Sequence, residues 1–297
     1  MTSWTLGETT ITRIEEQLGF VNIPPDRYLI DFDRALLERH REWLVPNHYS
    51  FDADRFVTSV HSWLVRTAHH TILVDACAGN HKDRPWTPRF NRLNTPFLDR
   101  LAAAGASPEA IDMVLCTHLH ADHIGWNTRL ADGRWVPTFP NAKYLFSRRE
   151  VDYWNPHRNP AMASDIRATA YRDSVLPVIE AGQAVLLDGA HAIDDRLLIE
   201  PAPGHSPGHV IMKLADTGKH GLFCGDVIHH PLQIHAPDCN SRFCDVPGEA
   251  RATRRRVLAH CAETGTLLFP THFGAPHVVA ITASSGGFGM RFVAGHA

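Results

Sequence analysis

Cysteine is scarce in this chain: Cys77, Cys116, Cys224, Cys239, Cys244 and Cys261 are all there are among 297 residues. Six are too few for a disulfide scaffold of this size. With no secretion signal, they read as reduced thiols, in the core or near a site, of a cytoplasmic protein. The opening, MTSWTLGETTITRIEEQ, has no basic stretch followed by an apolar one, so no signal peptide is expected. No apolar run is long enough to span a bilayer. Positive charge is not in excess either: 29 Lys and Arg stand against 32 Asp and Glu, for a formal net charge of -3. That argues against nucleic acid or an anionic membrane surface as a partner. Repeats, low-complexity segments and a Pro/Gly/Ser-rich linker are also missing. The chain is therefore expected to form a single domain over residues 1–297, and its 44% hydrophobic content suffices for a substantial core.

Histidine is the residue in surplus, at 21. It is the commonest side-chain metal ligand, so a metal is the first thing to look for. The stretch THLHADHIGW, residues 117–126, packs His118, His120, Asp122 and His123 into six positions. It follows IDMVLCT, a short apolar run that predicts a buried strand, so the motif lies on the loop leaving that strand. There, His118 and His120 can face one way while Asp122 and His123 turn toward a second point. Imidazole with carboxylate suits zinc, and also admits iron, manganese or cobalt. Downstream, PAPGHSPGH carries His205 and His209, LFCGDVIHH carries Asp226, and LLFPTHFGAPH carries His272. Each of these sits at a strand end among turn formers, where a rigid scaffold presents functional groups. Seven ligands follow: one divalent ion takes His118, His120 and His205, a second takes Asp122, His123 and His272, and Asp226 bridges them. His209 reads as a partner within its own turn, because the ligand sets are filled without it.

Strands are expected at 9–17, 56–67, 71–79, 142–146, 184–188, 196–201, 209–215, 220–224, 266–270 and 287–293. Helices are expected from Thr95-Pro96 to Gly105, from Ser107-Pro108 onward, over 147–154 with Ser147 as cap, in part of 164–182, and over 248–265. Residues 24–50 carry Phe32, Leu36, Leu37, Trp43 and Leu44 at helical spacing, which predicts a helix between two loops. Strands alternating with helices suit two packed sheets with helices outside.

The His-x-His-x-Asp-His run, followed in order by PGHSPGH, CGDVIHH and THFG, resembles the signature of the metallo-β-lactamase superfamily. The resemblance covers most of the chain, from the strands SWLVRT and TILVDA to the end. It implies an α/β fold, a four-layer αβ/βα sandwich of two mixed β-sheets flanked by helices, with the site at one edge. It also implies that Asp75 buttresses the ligand loop from behind.

Departures narrow the branch. The commonest β-lactamases place Cys where Asp226 stands, and flavo-diiron oxidoreductases place Glu at the His120 position. Nuclease branches bring a basic surface or an RNA-binding domain. Glyoxalase II-like enzymes bring a C-terminal helical domain, for which no room is seen after His272. The best local likeness is to the lactonase and methyl parathion hydrolase-like group. That group implies a zinc-dependent hydrolase in which a metal-bridging hydroxide opens a lactone or cleaves an ester, with phosphotriesters as a side activity. It also implies a homodimer, with residues 24–50 as contact or pocket lid. Lactonases usually place a Tyr near the bridging Asp, but here no Tyr follows Tyr171. His229 and His230 are the candidates to donate to a substrate oxygen in its place, and together with Asp122 and Asp226 they complete the expected catalytic set. Trp86, Phe90, Trp126, Trp154 and Phe243 are candidates to line the pocket. The alternative is a mononuclear iron enzyme of the superfamily's sulfur dioxygenase type.

Overall fold

The structure, a computed structural model, describes residues 2–296. It contains two compact units. One joins the chain up to Gln17 with Val60–His191, and the other joins Leu18–Ser59 with Ala192–His296. The described residues form two mixed sheets with flanking helices, an α/β architecture.

The first sheet runs in the order Ser3–Leu6, Thr9–Phe20, Arg55–Arg66, Thr71–Val74, Met113–Leu115, Lys143–Ser147, Ala184–Leu187, with Tyr49–Ser50 also paired to Arg55–Arg66. Its last four strands are mutually parallel. Parallel strands need helical crossovers that cover both faces, which is why TILV and MVL are apolar on consecutive residues. Because these strands share a direction, their carboxyl ends open on one edge. Asp75, the 117–126 motif and Glu150 all leave the sheet there. Around this sheet the core gathers Leu64, Leu73, Phe97, Val114, Trp126, Phe146 and Trp154.

The second sheet runs Leu197–Pro201, Val210–Asp216, Lys219–Gly225, Leu267–Pro270, Val278–Ser284, Gly287–Val293, with the short His191–Ala192 at one margin. Lys219–Gly225 and Leu267–Pro270 are parallel, and the helix Pro247–Thr264 connects them. That helix has proline at its first position and ends on Gly265 at φ 68, the left-handed stop that glycine allows. Leu197–Pro201 lies two antiparallel pairings away from Lys219–Gly225, so it shares that strand's direction. The segments that follow the three strands, carrying His205, Asp226 and His272, therefore leave from the same end of the sheet.

Several expectations are corrected. Residues 24–50 do not form one helix but three short ones, Pro25–Tyr28, Ala35–Arg39 and Arg41–Leu44. His40, at φ -113, breaks the run. The apolar side chains serve a cluster approached from several directions, in which Leu36, Leu37 and Leu44 meet Tyr49, Phe56 and Leu232. Ser107-Pro108 opens only a single 3-10 turn, Pro108–Ala110, and Ser147 makes no side-chain cap bond. Elements outside the expected set include the strand Ser3–Leu6, the hairpin Thr128–Ala131/Arg134–Pro137, the helix Leu232–His235 and the strand Val278–Ser284. All six cysteines are free and buried. No helix among the described residues is long and apolar enough to cross a membrane.

Two buried histidines in the second unit make stability depend on pH. His48 and His230 lie with ring centroids 6.2 Å apart, and burial pushes them down to about 4 and about 3. In the unfolded chain both titrate near 6.5. Between those values the unfolded state binds more protons, so stability is complete above about pH 6.5 and is lost as pH falls toward 4. The urea midpoint is expected to hold from pH 8 to 7 and then to drop steadily below about 6.5. His48→Phe, which keeps the stacking on Phe292, should flatten that slope. An unchanged slope in that variant would refute the assignment.

Candidate metal centre

In the first unit the ligand motif is held by buried carboxylates. Asp75, one residue beyond the strand Thr71–Val74, accepts the Thr117 amide at 2.8 Å and the Thr117 hydroxyl at 3.0 Å. Its other oxygen lies 2.8 Å from His123 Nδ1. Thr117 Oγ1 is also 3.1 Å from His118 Nδ1. Glu150, fully buried, accepts the Leu119 amide at 3.0 Å and the Trp154 indole N–H at 3.1 Å. His120 stands edge-on to Trp154, with ring centroids 5.5 Å apart. With Nδ1 of His118 and His123 occupied, their Nε2 atoms are left as donors toward a cation. Tying back the far nitrogen fixes both tautomer and ring angle.

The second unit repeats the device. His205 lies in a turn closed by Gly204, where an added Cβ would sit 2.2 Å from the Ala250 amide nitrogen, so glycine is required for the turn to rest on the helix Pro247–Thr264. His205 Nδ1 faces Cys244 Sγ at 3.8 Å. His272 Nδ1 is 2.9 Å from the Ser59 carbonyl, to which it can donate. Asp226 stands at the centre, with His272 Nε2 at 3.1 Å, His229 Nε2 at 3.2 Å and His205 Nε2 at 3.3 Å. Its own amide donates to His209 Nε2 at 3.1 Å, so His209 positions Asp226 from behind.

His229 is nearly fully buried, and burial holds its imidazole below the ordinary pKa against the pull of Asp226. His230 is turned elsewhere: Nε2 meets the His48 carbonyl at 3.0 Å and Nδ1 accepts the Leu232 amide at 3.3 Å. The main chain thus occupies both of its nitrogens, leaving no donor for a substrate. Arg254 pins the segment after Asp226 by donating to the carbonyls of Val227, Pro237 and Cys239 and to Asn240 Oδ1.

Of the expected pocket aromatics, Trp126 and Trp154 belong to the core, with Phe90 packed against it. Phe243 is 48% exposed and lies edge-on to Tyr28, which in turn meets His229. Tyr28 brings a phenol beside His229 from a segment far upstream of the ligands. No local motif announces it.

Each unit offers candidate metal donors: His118, His120, Asp122 and His123 in the first, and His205, Asp226 and His272 in the second. The donor set fits a divalent cation: a carboxylate ringed by imidazole nitrogens whose opposite nitrogens are tied back is a site arranged for positive charge.

Comparison with known proteins agrees. The chain is 25% identical over 189 residues to a probable metallo-hydrolase of Bacillus subtilis, covering 62% of this chain and 72% of that one. It is 25% identical over 210 residues to a hydroxyacylglutathione hydrolase of Aeromonas hydrophila, covering 71% of this chain but only 59% of that protein's length. Among solved structures, a hydrolase of the β-lactamase superfamily, AbOPH, superposes with a TM-score of 0.79 at 22% identity, covering 99% and 97% of the two chains. A dizinc quorum-quenching lactonase, AidC, in complex with its product superposes at 0.76 and 20% identity, covering 99% and 98%. At these identities the structural likeness is one of fold. The family model described as the metallo-beta-lactamase superfamily matches residues 55–280, more than half of the sequence, and the chain is a member of that superfamily.

Proposed function

We propose that this metal-dependent hydrolase belongs to the lactonase and methyl parathion hydrolase-like group and holds two ions, most simply zinc, to open lactones or cleave esters, with phosphotriesters as a side activity. One observation carries the reading: within the second unit, Asp226 lies within 3.1–3.3 Å of three imidazole nitrogens. When bound, two divalent ions supply a water of lowered pKa, near ~7, and polarise the carbonyl under attack. The chain's own groups do the rest. Asp226 and the tied-back imidazoles fix where the ions sit. Asp122 orients the attacking water. His229, three residues after Asp226 and 3.2 Å from its carboxylate, would deliver a proton to the leaving oxygen. Phe243 and Tyr28 offer an aromatic wall to an apolar substituent. Six free thiols fit a reducing, cytoplasmic setting. Residues 1–297 are taken as one domain, since a single family model runs across both units.

The test is proton release from zinc-loaded protein mixed with an aliphatic or aromatic lactone, beside a chelated control. Acid production that the chelator stops is the expected result. No release from a sample verified to hold two ions would overturn the lactone assignment and turn attention to phosphotriesters. Thiol-dependent oxygen uptake by an iron-loaded sample would instead point to a sulfur dioxygenase.

A further inference from the structure

Glu16 lies on the strand Thr9–Phe20, far from the ligand motifs in sequence, and is 3% exposed. Its carboxylate takes three neutral N–H donors: the Ala78 amide at 2.8 Å, the Gly79 amide at 3.0 Å and the Trp126 indole at 2.7 Å. Burying an anionic group is costly unless something requires it there. These contacts also push its carboxyl less than burial does, leaving it raised to about 7.

The donors are the ends of two segments that lie against each other. Ala76 donates its amide to the His123 carbonyl at 2.7 Å, Gly125 donates to Cys77 at 2.7 Å and Trp126 donates to Ala76 at 2.7 Å. The approach is so close that a Cβ on Gly125 would sit 1.8 Å from the Ala78 carbonyl oxygen. Residues 75–79 reach this contact through left-handed conformations, with φ of 59 at Asp75, 46 at Cys77 and 77 at Gly79. Such a backbone persists only where its surroundings over-determine it. Asp75, at the head of the loop, holds His123 Nδ1, and Trp126, at the tail of the motif, is three residues past His123. Glu16 thus grips the Asp122–His123 turn from both sides: through the loop to Asp75, and through the indole to Trp126.

We propose that Glu16 is a positioning residue for the metal ligands Asp122 and His123, setting the affinity of the ion they would hold in preference to the other. This rests on the two-metal reading. The carboxylate is acceptor-only, and all three partners are donors. Glu16→Gln therefore turns a donor toward a donor. Glu16→Asp keeps the acceptors but draws them back by one methylene.

The experiment is a titration of metal-free full-length protein with Zn2+ and with Co2+, read by competition with a chelating dye and by the cobalt absorption bands, with near-UV circular dichroism as the check on folding. Wild type is expected to bind two ions. Glu16→Gln should keep one and bind the other about 10–100-fold more weakly, the loss typical when a ligand's outer partner is removed. Glu16→Asp should recover part of that loss. Two ions held by Glu16→Gln as tightly as by wild type would overturn the proposal, as would equal weakening of both, which marks general loosening. If Glu16→Gln does not fold, Trp126→Phe removes only one of the three donors and decides: one ion weakened supports the role, and unchanged affinities refute it. Wild type that binds no ions would show, before any variant is compared, that the two-metal reading fails and this inference with it.

Discussion

Asp226→Ala is expected to lose at least on the order of 10³-fold in hydrolytic rate and to bind no more than one ion, with a far-UV spectrum unchanged. The magnitude follows from what the side chain does. Its two oxygens face three imidazole nitrogens at 3.1–3.3 Å, so it is a negative group shared by His205, His229 and His272. Removing a single well-placed electrostatic group from a water-poor site already costs about 10²–10³ in rate. Asp226 would in addition be lost as a ligand. Folding is not expected to suffer, because each of His205 and His272 keeps a second contact at Nδ1. Metal content by elemental analysis and initial rates on a lactone check the result. A variant that holds two ions and retains more than about a tenth of the rate, a barrier change under about 1.4 kcal/mol, would remove Asp226 from the centre of the site.

The contrast between Asp226 and Glu16 shows what a sequence discloses. The seven proposed ligands are legible because metal binding demands particular side chains at short spacings, beside strand ends that apolar runs and turn formers betray. The motif at 117–126 does this within ten residues. Glu16 follows another glutamate in TTITRIEEQ, and nothing local separates the buried one from its neighbour. Its role comes from a sheet that brings residues 16, 78 and 126 together. The same holds for His209 and Arg254, whose partners are carbonyls and amides supplied by other segments. Segment 24–50 misled for the opposite reason. Its apolar spacing fits a helix, but those side chains are drawn to several surfaces of one cluster, and three short helices satisfy them better than one long one. The hairpin at 128–137 did leave a mark, Asp132-Gly133, with φ of 50 and 75 at the two turn residues. That dipeptide is a strong hairpin signal, though the strands around it are too polar to read as strands by themselves.

Asp75→Asn is expected to do damage of two kinds, on stability and on metal affinity, and to separate them. The native carboxylate accepts the Thr117 amide, the Thr117 hydroxyl and the His123 imidazole, all buried. Asparagine tolerates the left-handed backbone that Asp75 adopts at φ 59. The substitution therefore leaves the turn intact while exchanging one acceptor oxygen for a donor. One or two buried N–H groups then lose their partner, at about 1–3 kcal/mol each, so metal-free protein should unfold about 2–4 kcal/mol more easily in urea. His123 loses the contact that fixes its ring, and the ion it would hold should bind about 10–100-fold more weakly. Asp75→Ala adds the cost of a Cβ-bearing residue without a polar side chain in the left-handed region, about 1–2 kcal/mol more. Stability of Asp75→Asn within about 0.5 kcal/mol of wild type, the range of an ordinary surface substitution, would mean that the carboxylate does not hold the ligand loop in place. If stability falls while metal affinity stays the same, His123 is oriented by packing rather than by Asp75.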